Sequence, residues 1–417
     1  MYQDLALLER LLVEYVLGPD ALGQYDQGDI AKRFLEPAAT GLVHLSTQFT
    51  TQRQEFTKSY WHETERLAYL LYYLPVNFAK AYAVLTELNH RPEVFSPSFL
   101  AQNPIRILDI GCGPGTATLA TLAFLSRLDL EAPLNIEIGL YDSSVSVLQD
   151  AQALIRHMVK QLNQDQEQMQ VKVIPQLGKV AELQKLKIKE PASLIWINNV
   201  LNEAMSADQS PVTWLQPFLT THLDTQGTCL IIEPALRETT RNLMQVRDEL
   251  LAGAPEFNVF APCTAEGTCR MLRDGRERDW CHSDVAWKRP QLVRQLDTMT
   301  GLWKSALKFA YLALRRDGLR LHQDLMADTV TVGRVVSDLL KEKGKEKIIA
   351  CTAEELVTLV RLKRDRSSKN QVFHRLERGQ LVSAQNLHPG KQPHESLVQA
   401  ESSLKAQGPF LKNEVSG

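Results

Sequence analysis

The sequence predicts an α/β protein built around a doubly wound, mostly parallel sheet. Two observations support this fold class. Short apolar runs alternate with helical stretches from residue 105 onward, and the first of these runs ends in a glycine-rich loop, ILDIGCGPGTA. A helical region precedes the sheet, and a cysteine-containing loop with a β-rich appendage follows it. At 417 residues, the chain is expected to form two or three domains.

The first region, residues 1–100, is expected to be helical. Apolar residues recur at helical spacing in LALLERLLVEYVL and in ETERLAYLLYYLPVNFAKAYAVLTELNHR, where Pro75 should kink or split the helix. A linker rich in proline and serine follows at residues 92–104. The N-terminus carries Asp4 and Glu9 and no basic segment, which is typical of an amphipathic helix and not of a signal or transit peptide.

The second region, residues 101–254, is expected to hold the sheet. Its strand candidates are IRILDIG, NIEIGLYD, VKVIP, ASLIWINNV and TCLIIEP. The third region, residues 255–382, begins with a polar, irregular loop, and SALKFAYLALRR at 305–316 should return to the sheet as a strand. A small antiparallel appendage is expected from TVGRVVSDLL, KIIAC and ELVTLVRLKR. The polar segment 383–417 is expected to be a disordered tail.

Charge and composition limit the classes of partner. The net charge is −2, which argues against nucleic-acid binding through bulk charge and leaves room for a local basic face. No apolar run approaches the roughly 20 residues of a transmembrane helix, so no membrane partner is expected. Six cysteines without an export signal indicate a reducing compartment. We expect a monomer in the cytoplasm, or in the mitochondrial matrix if the chain is eukaryotic and processed.

The glycine loop predicts a nucleotide-type ligand. Gly111, Gly113 and Gly115 follow a strand that ends near Asp109, and glycines let the backbone pass close to a ligand beyond the carboxyl end of a strand. The spacing G-x-G-x-G differs from the dinucleotide fingerprint G-x-G-x-x-G, and no P-loop lysine is present. A tight loop preceded by an acid suits a ligand with a cationic end and no pyrophosphate. S-adenosylmethionine is such a ligand; the disfavoured alternative is a bare tight turn.

Two further positions complete the predicted ligand site. Asp142 ends the next strand, where one carboxylate could accept both ribose hydroxyls, although it could also only cap the following helix. The polar residues after the fourth strand could orient a methyl acceptor; they are Asn198, Asn199, Asn202 and Glu203. Asn198 and Asn199 are the catalytic candidates, and polar capping of the strand end is an equal alternative. Methyl transfer from a sulfonium depends mainly on in-line positioning, so no catalytic base is required.

Four cysteines form a candidate metal site. Cys263, Cys269 and Cys281 lie in the irregular loop, and Cys351 follows much later in the chain. Zinc sites usually contain tight pairs with about two to four intervening residues, and no such pair occurs here. Irregularly spaced thiolates suit an iron–sulfur cluster at least as well, so metal binding is favoured and the metal stays open. His282 is a possible zinc ligand, although a surface histidine is the commoner case.

A basic segment near the C-terminus is a candidate RNA contact. Residues 361–378, RLKRDRSSKNQVFHRLER, carry seven Lys and Arg residues against Asp365 and Glu377. Phosphate contacts dominate nucleic-acid affinity, so this segment could hold an RNA backbone. The alternative is a solvated strand edge whose charges prevent aggregation.

Four stretches together resemble the small-ribosomal-subunit methyltransferase-like family, which includes mitochondrial methyltransferase-like protein 17 and bacterial homologues. The stretches are ETERLAYLLYYLPVNFAKAYAVLTEL with ILDIGCGPGTATLA, IIEPALRETTRNLMQVRDELL, APCTAEGTC…DWCHS, and LKFAYLAL followed by GRVVSD…KIIAC. They span roughly residues 60–355. The glycine loop alone is common among methyltransferases, and its combination with the cysteine pattern is far more specific.

The resemblance implies an S-adenosylmethionine-type Rossmann domain, a [4Fe–4S] site and a role on the small ribosomal subunit and its RNA during assembly. By position, the implied cluster ligands are Cys263, Cys269, Cys281 and Cys351. Thr264 and Arg270 stand where the family often has proline. The resemblance does not imply retained catalysis. An rRNA methyltransferase and a non-catalytic assembly factor therefore both stay open, with a nicotinamide-dependent oxidoreductase as a weaker third hypothesis.

Overall fold

The computed structural model describes residues 1–51, 62–186, 188–201, 210–326 and 330–408. The N-terminal region is helical, as predicted. Its helices are α1 Tyr2–Leu12, α2 Pro19–Asp26, α3 Lys32–Thr51, α4 Glu63–Ala68, α5 Leu74–Leu88 and α6 Pro97–Leu100. Pro75 lies in the first turn of α5. The π-helical turn Tyr69–Tyr73 joins α4 to α5 with helical backbone angles at both junctions, so the helix type changes before the proline and the helical run is not split there.

The central sheet has the predicted α/β architecture. Its strands are β1 Ile105–Ile110, β2 Leu134–Asp142, β3 Met169–Leu177, β4 Ala192–Asn198, β5 Leu223–Pro234, β6 Asn258–Ala261, β7 Ser283–Ala286 and β8 Ala306–Arg315. The strand order is β3-β2-β1-β4-β5-β8-β6, with β7 paired to β8. Strands β1 to β5 are parallel and β8 is antiparallel to β5, so the predicted return of residues 305–316 to the sheet is confirmed.

Helices cover this sheet, as expected for parallel strands that are joined by helical connections. The helices are α7 Thr116–Leu125, α8 Val145–Leu162, α9 Val212–His222, α10 Arg237–Gly253, α11 Arg270–Arg273 and α12 Gln291–Thr300. Strand β4 is buried along nearly its whole length, as expected for a strand covered on both faces. From β1 the chain passes to β2 and β3 on one side and later to β4 and β5 on the other. The switch point between β1 and β4 is where such sheets bind ligands.

A second, mainly antiparallel sheet forms the C-terminal appendage. Its strands are β9 Val330–Val335, β10 Leu340–Glu342, β11 Lys345–Thr352, β12 Leu356–Leu362, β13 Leu381–Gln385, β14 His388–Pro389, β15 Glu395–Val398 and β16 Ser403–Gln407. Their order is β14-β15-β12-β11-β9-β13-β16, with β10 on β11. The predicted appendage is therefore present and is larger than the sequence suggested.

The expectation of a disordered tail from residue 383 is wrong for the part of it that the structure describes. Strand β13 pairs with β9, and β16 pairs with β13. Val382, Val398 and Leu404 are buried in the core of the second sheet. A few apolar side chains suffice here because these strands extend an existing sheet instead of building a new core. None of the helices within the described ranges is long and apolar enough to cross a membrane.

Candidate functional site

The predicted ligand residues meet at one edge of the central sheet. Ile110 of β1 lies beside Tyr141 of β2 and Ile197 of β4 in parallel register. The three strands therefore end at the same edge, next to the switch point. Asp109 and the glycine loop belong to the end of β1, and Asp142 and Asn198 end β2 and β4.

The glycine loop has a tightly constrained backbone. Gly111, Gly113 and Gly115 have φ of 63°, 52° and 79°, in the left-handed region that favours glycine. A Cβ atom on Gly111 would lie 2.4 Å from the Cγ2 atom of Val200, so no side chain fits there. The Gly111 N–H donates to the Tyr141 carbonyl at 2.7 Å. The loop is thus fixed to β2, and Gly115 starts α7 with its N-terminus at the ligand edge.

Asp142 connects the loop to the next helix. Its Oδ2 atom accepts a hydrogen bond from the Gly113 N–H at 3.0 Å, and its Oδ1 atom accepts one from the Ser144 N–H at 3.1 Å. Burial raises the pKa of this carboxyl group. The helix-capping alternative is therefore partly realised. A carboxylate has about four lone-pair sites, so both oxygens keep capacity for a ligand hydroxyl.

Asp109 faces α7, and its hydrogen bonds to that helix fix the strand end from which the glycine loop starts. Its carboxyl group is 1 % exposed, and Oδ2 accepts hydrogen bonds from the Thr118 hydroxyl at 2.8 Å and the Thr118 N–H at 3.2 Å. Burial raises the pKa of Asp109 to about 7, and the charge of Asp142 adds to the shift. The sequence suggested a contact with the cationic end of a ligand, whereas these bonds tie β1 to α7.

Two buried polar atoms near the switch point lack partners. The Asn198 Oδ1 atom and the Thr116 Oγ1 atom form no hydrogen bond within the described chain. An unsatisfied buried group costs about 1–3 kcal/mol, so a polar ligand here would relieve a cost already present. Asn199 has a φ of 57°, and its N–H donates to the Ile232 carbonyl at 2.8 Å. Asn202 and Glu203 lie outside the described residues.

Tyr69 is a site residue that the sequence reasoning missed. Its hydroxyl oxygen lies 3.7 Å from the position that a Cβ atom on Gly113 would take. The π-helical turn Tyr69–Tyr73 carries this side chain to the glycine loop. Apolar spacing alone assigned the turn to a regular helix, so the sequence held no signal for the contact.

The four predicted cysteines line one cavity. Cys263 follows β6, Cys269 precedes α11, Cys281 precedes β7, and Cys351 lies in β11. The same cavity is lined by the guanidinium-bearing side chains of Arg247 and Arg334, and its lining does not include His282. Strand β11 belongs to the second sheet, so the cavity lies between the cysteine loop and the appendage.

Hydrogen bonds fasten the cysteine loop to the second sheet. The Thr264 hydroxyl donates to the Cys351 carbonyl at 2.8 Å, and Arg270 donates to the Ala353 carbonyl at 2.6 Å. From the other side, Arg247 donates to the Ala265 carbonyl at 2.7 Å. The loop is therefore held in place by groups other than its thiols.

Burial in the cavity favours the neutral form of two of its thiols. Burial raises the pKa of Cys269 to about 11 and that of Cys281 to about 12, and the neighbouring thiols add to both shifts. Among the described His, Cys, Asp and Glu side chains, no group of three or more is arranged to hold a metal ion. His282 stacks on Trp280, with ring centroids 5.6 Å apart, and burial lowers its pKa to about 4.

The basic segment 361–378 is only partly available to a partner. Arg361 is 1 % exposed and pairs with Glu346 at 2.6 Å, and Arg378 donates to the Val336 carbonyl. The remaining cations are exposed; they are Lys363, Arg364, Arg366, Lys369 and Arg375. The segment forms short 3-10 turns at Lys363–Asp365 and Ser368–Arg375 and not a strand edge.

Sequence comparison identifies the family. A family model described as mitochondrial small ribosomal subunit Rsm22 matches residues 63–379, about three quarters of the chain. The chain belongs to the Rsm22 family. This confirms the resemblance drawn from the sequence motifs. No curated protein matches the chain.

Several solved methyltransferase structures are similar to this chain, at low sequence identity. The plantazolicin methyltransferase BamL, in complex with an analogue and SAH, is 13% identical with a TM-score of 0.35, over 68% of this chain and 99% of its own. A putative class I S-adenosylmethionine-dependent methyltransferase from Listeria monocytogenes is 11% identical with a TM-score of 0.33, over 75% and 87%. A putative rRNA-methylase from Clostridium thermocellum is 11% identical with a TM-score of 0.29, over 56% and 95%. No activity of this chain follows from them.

Proposed function

We propose that this chain is an S-adenosylmethionine-dependent methyltransferase-like protein that acts on small-subunit ribosomal RNA during ribosome assembly. The observation that carries the proposal is the buried side-chain Oδ1 atom of Asn198, which has no hydrogen-bond partner among the described residues and lies beside a left-handed glycine loop at the switch point. The description of the Rsm22 family supports the small ribosomal subunit as the partner. The family description fits the mitochondrial matrix, and the bacterial homologues fit the cytoplasm.

The residues at the switch point fit S-adenosylmethionine. The glycine loop and the N-terminus of α7 would hold the amino-acid part, and Asp142 would accept the ribose hydroxyls with its spare lone pairs. Asn198 and Asn199 would orient the acceptor. Bound S-adenosylmethionine supplies an electrophilic methyl group, and the chain's contribution is in-line positioning and exclusion of water.

We infer that the cysteine cavity holds a [4Fe–4S] cluster. A single zinc ion would need four sulfurs at about 2.3 Å from one point, whereas each ligand of a cluster binds a different iron and the sulfurs stay further apart. The donor set fits a cluster because four thiols line one cavity. Buried Arg247 and Arg334 would offset the negative charge of four thiolates. The cluster would then join the loop to β11 and contribute folding energy there.

A non-catalytic assembly factor is the second candidate function. The observation that favours it is that Asp109 and Asp142 already accept hydrogen bonds from Thr118, Gly113 and Ser144. The ligand edge is therefore held together without a cofactor, and the Rossmann domain could serve only to dock on RNA.

Mapping of methylated nucleotides distinguishes the two functions. Small-subunit RNA is compared between cells with the wild-type protein, the Asn198→Ala variant and no protein. The catalytic proposal expects a methylated nucleotide that is lost in both altered strains. Normal methylation in all strains, with subunit assembly failing only without the protein, would support the assembly factor and reject the enzyme.

Anaerobic purification tests the metal separately. The wild-type protein should be brown, with broad visible absorption and bound iron. Cys281→Ser should lose both, and Cys229→Ala should keep them because Cys229 is buried in β5 and does not line the cavity. A colourless protein with stoichiometric zinc would reject the cluster.

A further inference from the structure

A basic and aromatic surface lies at the ligand edge, outside the sites described so far. We define the Trp303 patch as Lys288, Arg289, Arg294, Trp303 and Lys304. It belongs to the segments that flank the β7–β8 pair. Phe309 near the start of β8 pairs with Pro234 at the end of β5, so β8 begins at the edge where the parallel strands end. Trp303 lies just before β8 and therefore near the same edge as the glycine loop.

The patch is held together by specific contacts. The Arg289 guanidinium lies 3.7 Å from the Trp303 ring centroid, and Arg294 donates a hydrogen bond to the Arg289 carbonyl at 2.8 Å. The Trp287 indole N–H donates to the Lys304 carbonyl at 2.7 Å. Trp303 is nevertheless 67 % exposed. The Arg289 guanidinium holds the indole ring, which stays open to solvent and leaves an aromatic surface on which a planar group can stack.

The charge of the segment 283–308 itself is positive and is only partly compensated within the segment. The carboxylates of the segment 283–308 are Asp284 and Asp297, which pair with Lys308 at 3.2 Å and Arg289 at 2.7 Å. Over the ranges that the structure describes, none of the exposed side chains of Lys288, Arg294 and Lys304 forms an ion pair with a carboxylate.

Lys80 of α5 lies within range of the charge of Lys304. Its ammonium group donates a hydrogen bond to the Asn77 side chain at 3.0 Å. Burial lowers the pKa of Lys80 to about 7, and the charge of Lys304 lowers it further. An anion bound at Lys304 would relieve this repulsion. The surface is thus suited to a ligand that places negative charges around the Trp303 ring.

We propose that the Trp303 patch binds a single-stranded segment of RNA, with a base stacked on Trp303 and phosphates on Lys288, Arg294 and Lys304. Stacking on an exposed aromatic ring with cations along the backbone is how proteins bind single strands. The inference rests on the proposed function, since it assigns the surface that presents the RNA to the methyl-transfer edge. Carboxylates alone would satisfy the charges and leave the indole ring unused, whereas every nucleotide of RNA supplies both a phosphate and a base that stacks, so RNA is favoured.

Fluorescence anisotropy with a short, unstructured, labelled RNA tests the proposal on the full chain. Trp303→Ala should weaken binding by about tenfold, because base stacking on an aromatic side chain contributes about 1–3 kcal/mol. Trp303→Phe should retain most of the affinity. Lys304→Ala should lower the slope of log affinity against log salt by about 0.7. Lys160→Ala, which removes an exposed lysine on α8, should leave binding unchanged.

The outcomes of this experiment distinguish failure of the Trp303 patch from failure of the proposed function. If wild type binds RNA and the folded Trp303→Ala and Lys304→Ala proteins bind equally well, the patch is rejected while the proposed function stands. Polyglutamate that competes as well as RNA, with no effect of Trp303→Ala, would reject RNA in favour of an acidic protein. If wild type binds no RNA, the proposed function fails and the patch assignment falls with it.

Discussion

Arg334 joins four parts of the molecule, and its removal gives a sharp prediction. It is 3 % exposed and donates to the Pro262 carbonyl at 2.9 Å and the Gly379 carbonyl at 2.7 Å. It also pairs with Glu87 of α5, which is 3 % exposed and accepts a hydrogen bond from the Tyr311 hydroxyl at 2.7 Å. The ion pair is therefore buried between the helical region, the central sheet, the cysteine loop and the appendage.

The expected loss of stability in Arg334→Met follows from Glu87, whose buried carboxylate loses its partner. Breaking one side of a buried ion pair costs about 3–5 kcal/mol because the remaining charge is uncompensated. Exposed pairs contribute about 0–1 kcal/mol, so Arg10→Met, which breaks the exposed pair with Asp26, is the control. Urea unfolding should show the large loss only for Arg334→Met. The double variant Arg334→Met, Glu87→Gln should recover part of it, since no buried charge remains. A loss below about 1 kcal/mol for Arg334→Met would refute the reasoning.

Three further predictions concern the loop, the buried acid and the cysteine clamp. Gly111→Ala should lower the free energy of unfolding by at least about 2 kcal/mol through a clash with Val200 and a positive φ, whereas Gly267→Ala, with open space around it, should not. Folding raises the pKa of Asp109 from 3.8 to about 7, so the folded state binds more protons and stability should fall as pH rises between these values. Asp109→Asn should flatten this part of the urea stability profile against pH; an unchanged slope would contradict the assignment. Thr264→Val should cost about 1 kcal/mol in apo-protein unfolding, because the bond to the Cys351 carbonyl is lost.

Much of the architecture could be predicted from short-range sequence signals. The strands β1, β2, β4 and β5 are apolar runs next to helices, and their alternation specifies a parallel sheet. The glycine loop was recognisable because only glycine accommodates its positive φ angles and its closeness to Val200. The sequence grouped Cys351 with the other three cysteines only loosely, because it lies far along the chain from them, and the family resemblance implied it as the fourth ligand.

The remaining features depend on contacts that form only when the chain folds. Burial of Arg361 against Glu346 removes one cation from a segment that looked uniformly basic, and composition cannot show this pairing. Strand β16 forms because β13 offers it an edge, although its own sequence is polar. Asp109 looked like a ligand-binding acid until its bond to Thr118 placed it beneath the loop. In each case a contact that forms only in the folded chain decides the outcome.

The most direct test of the central claim is a calorimetric titration of the purified full chain with S-adenosylmethionine. We predict saturable binding to one site, which Asp142→Ala should strongly weaken because the variant loses both the ribose acceptor and the bond to the Gly113 N–H. Lys160→Ala should bind as wild type does, since Lys160 lies on the exposed face of α8. Absence of binding to a folded, metal-loaded wild-type protein would contradict the account.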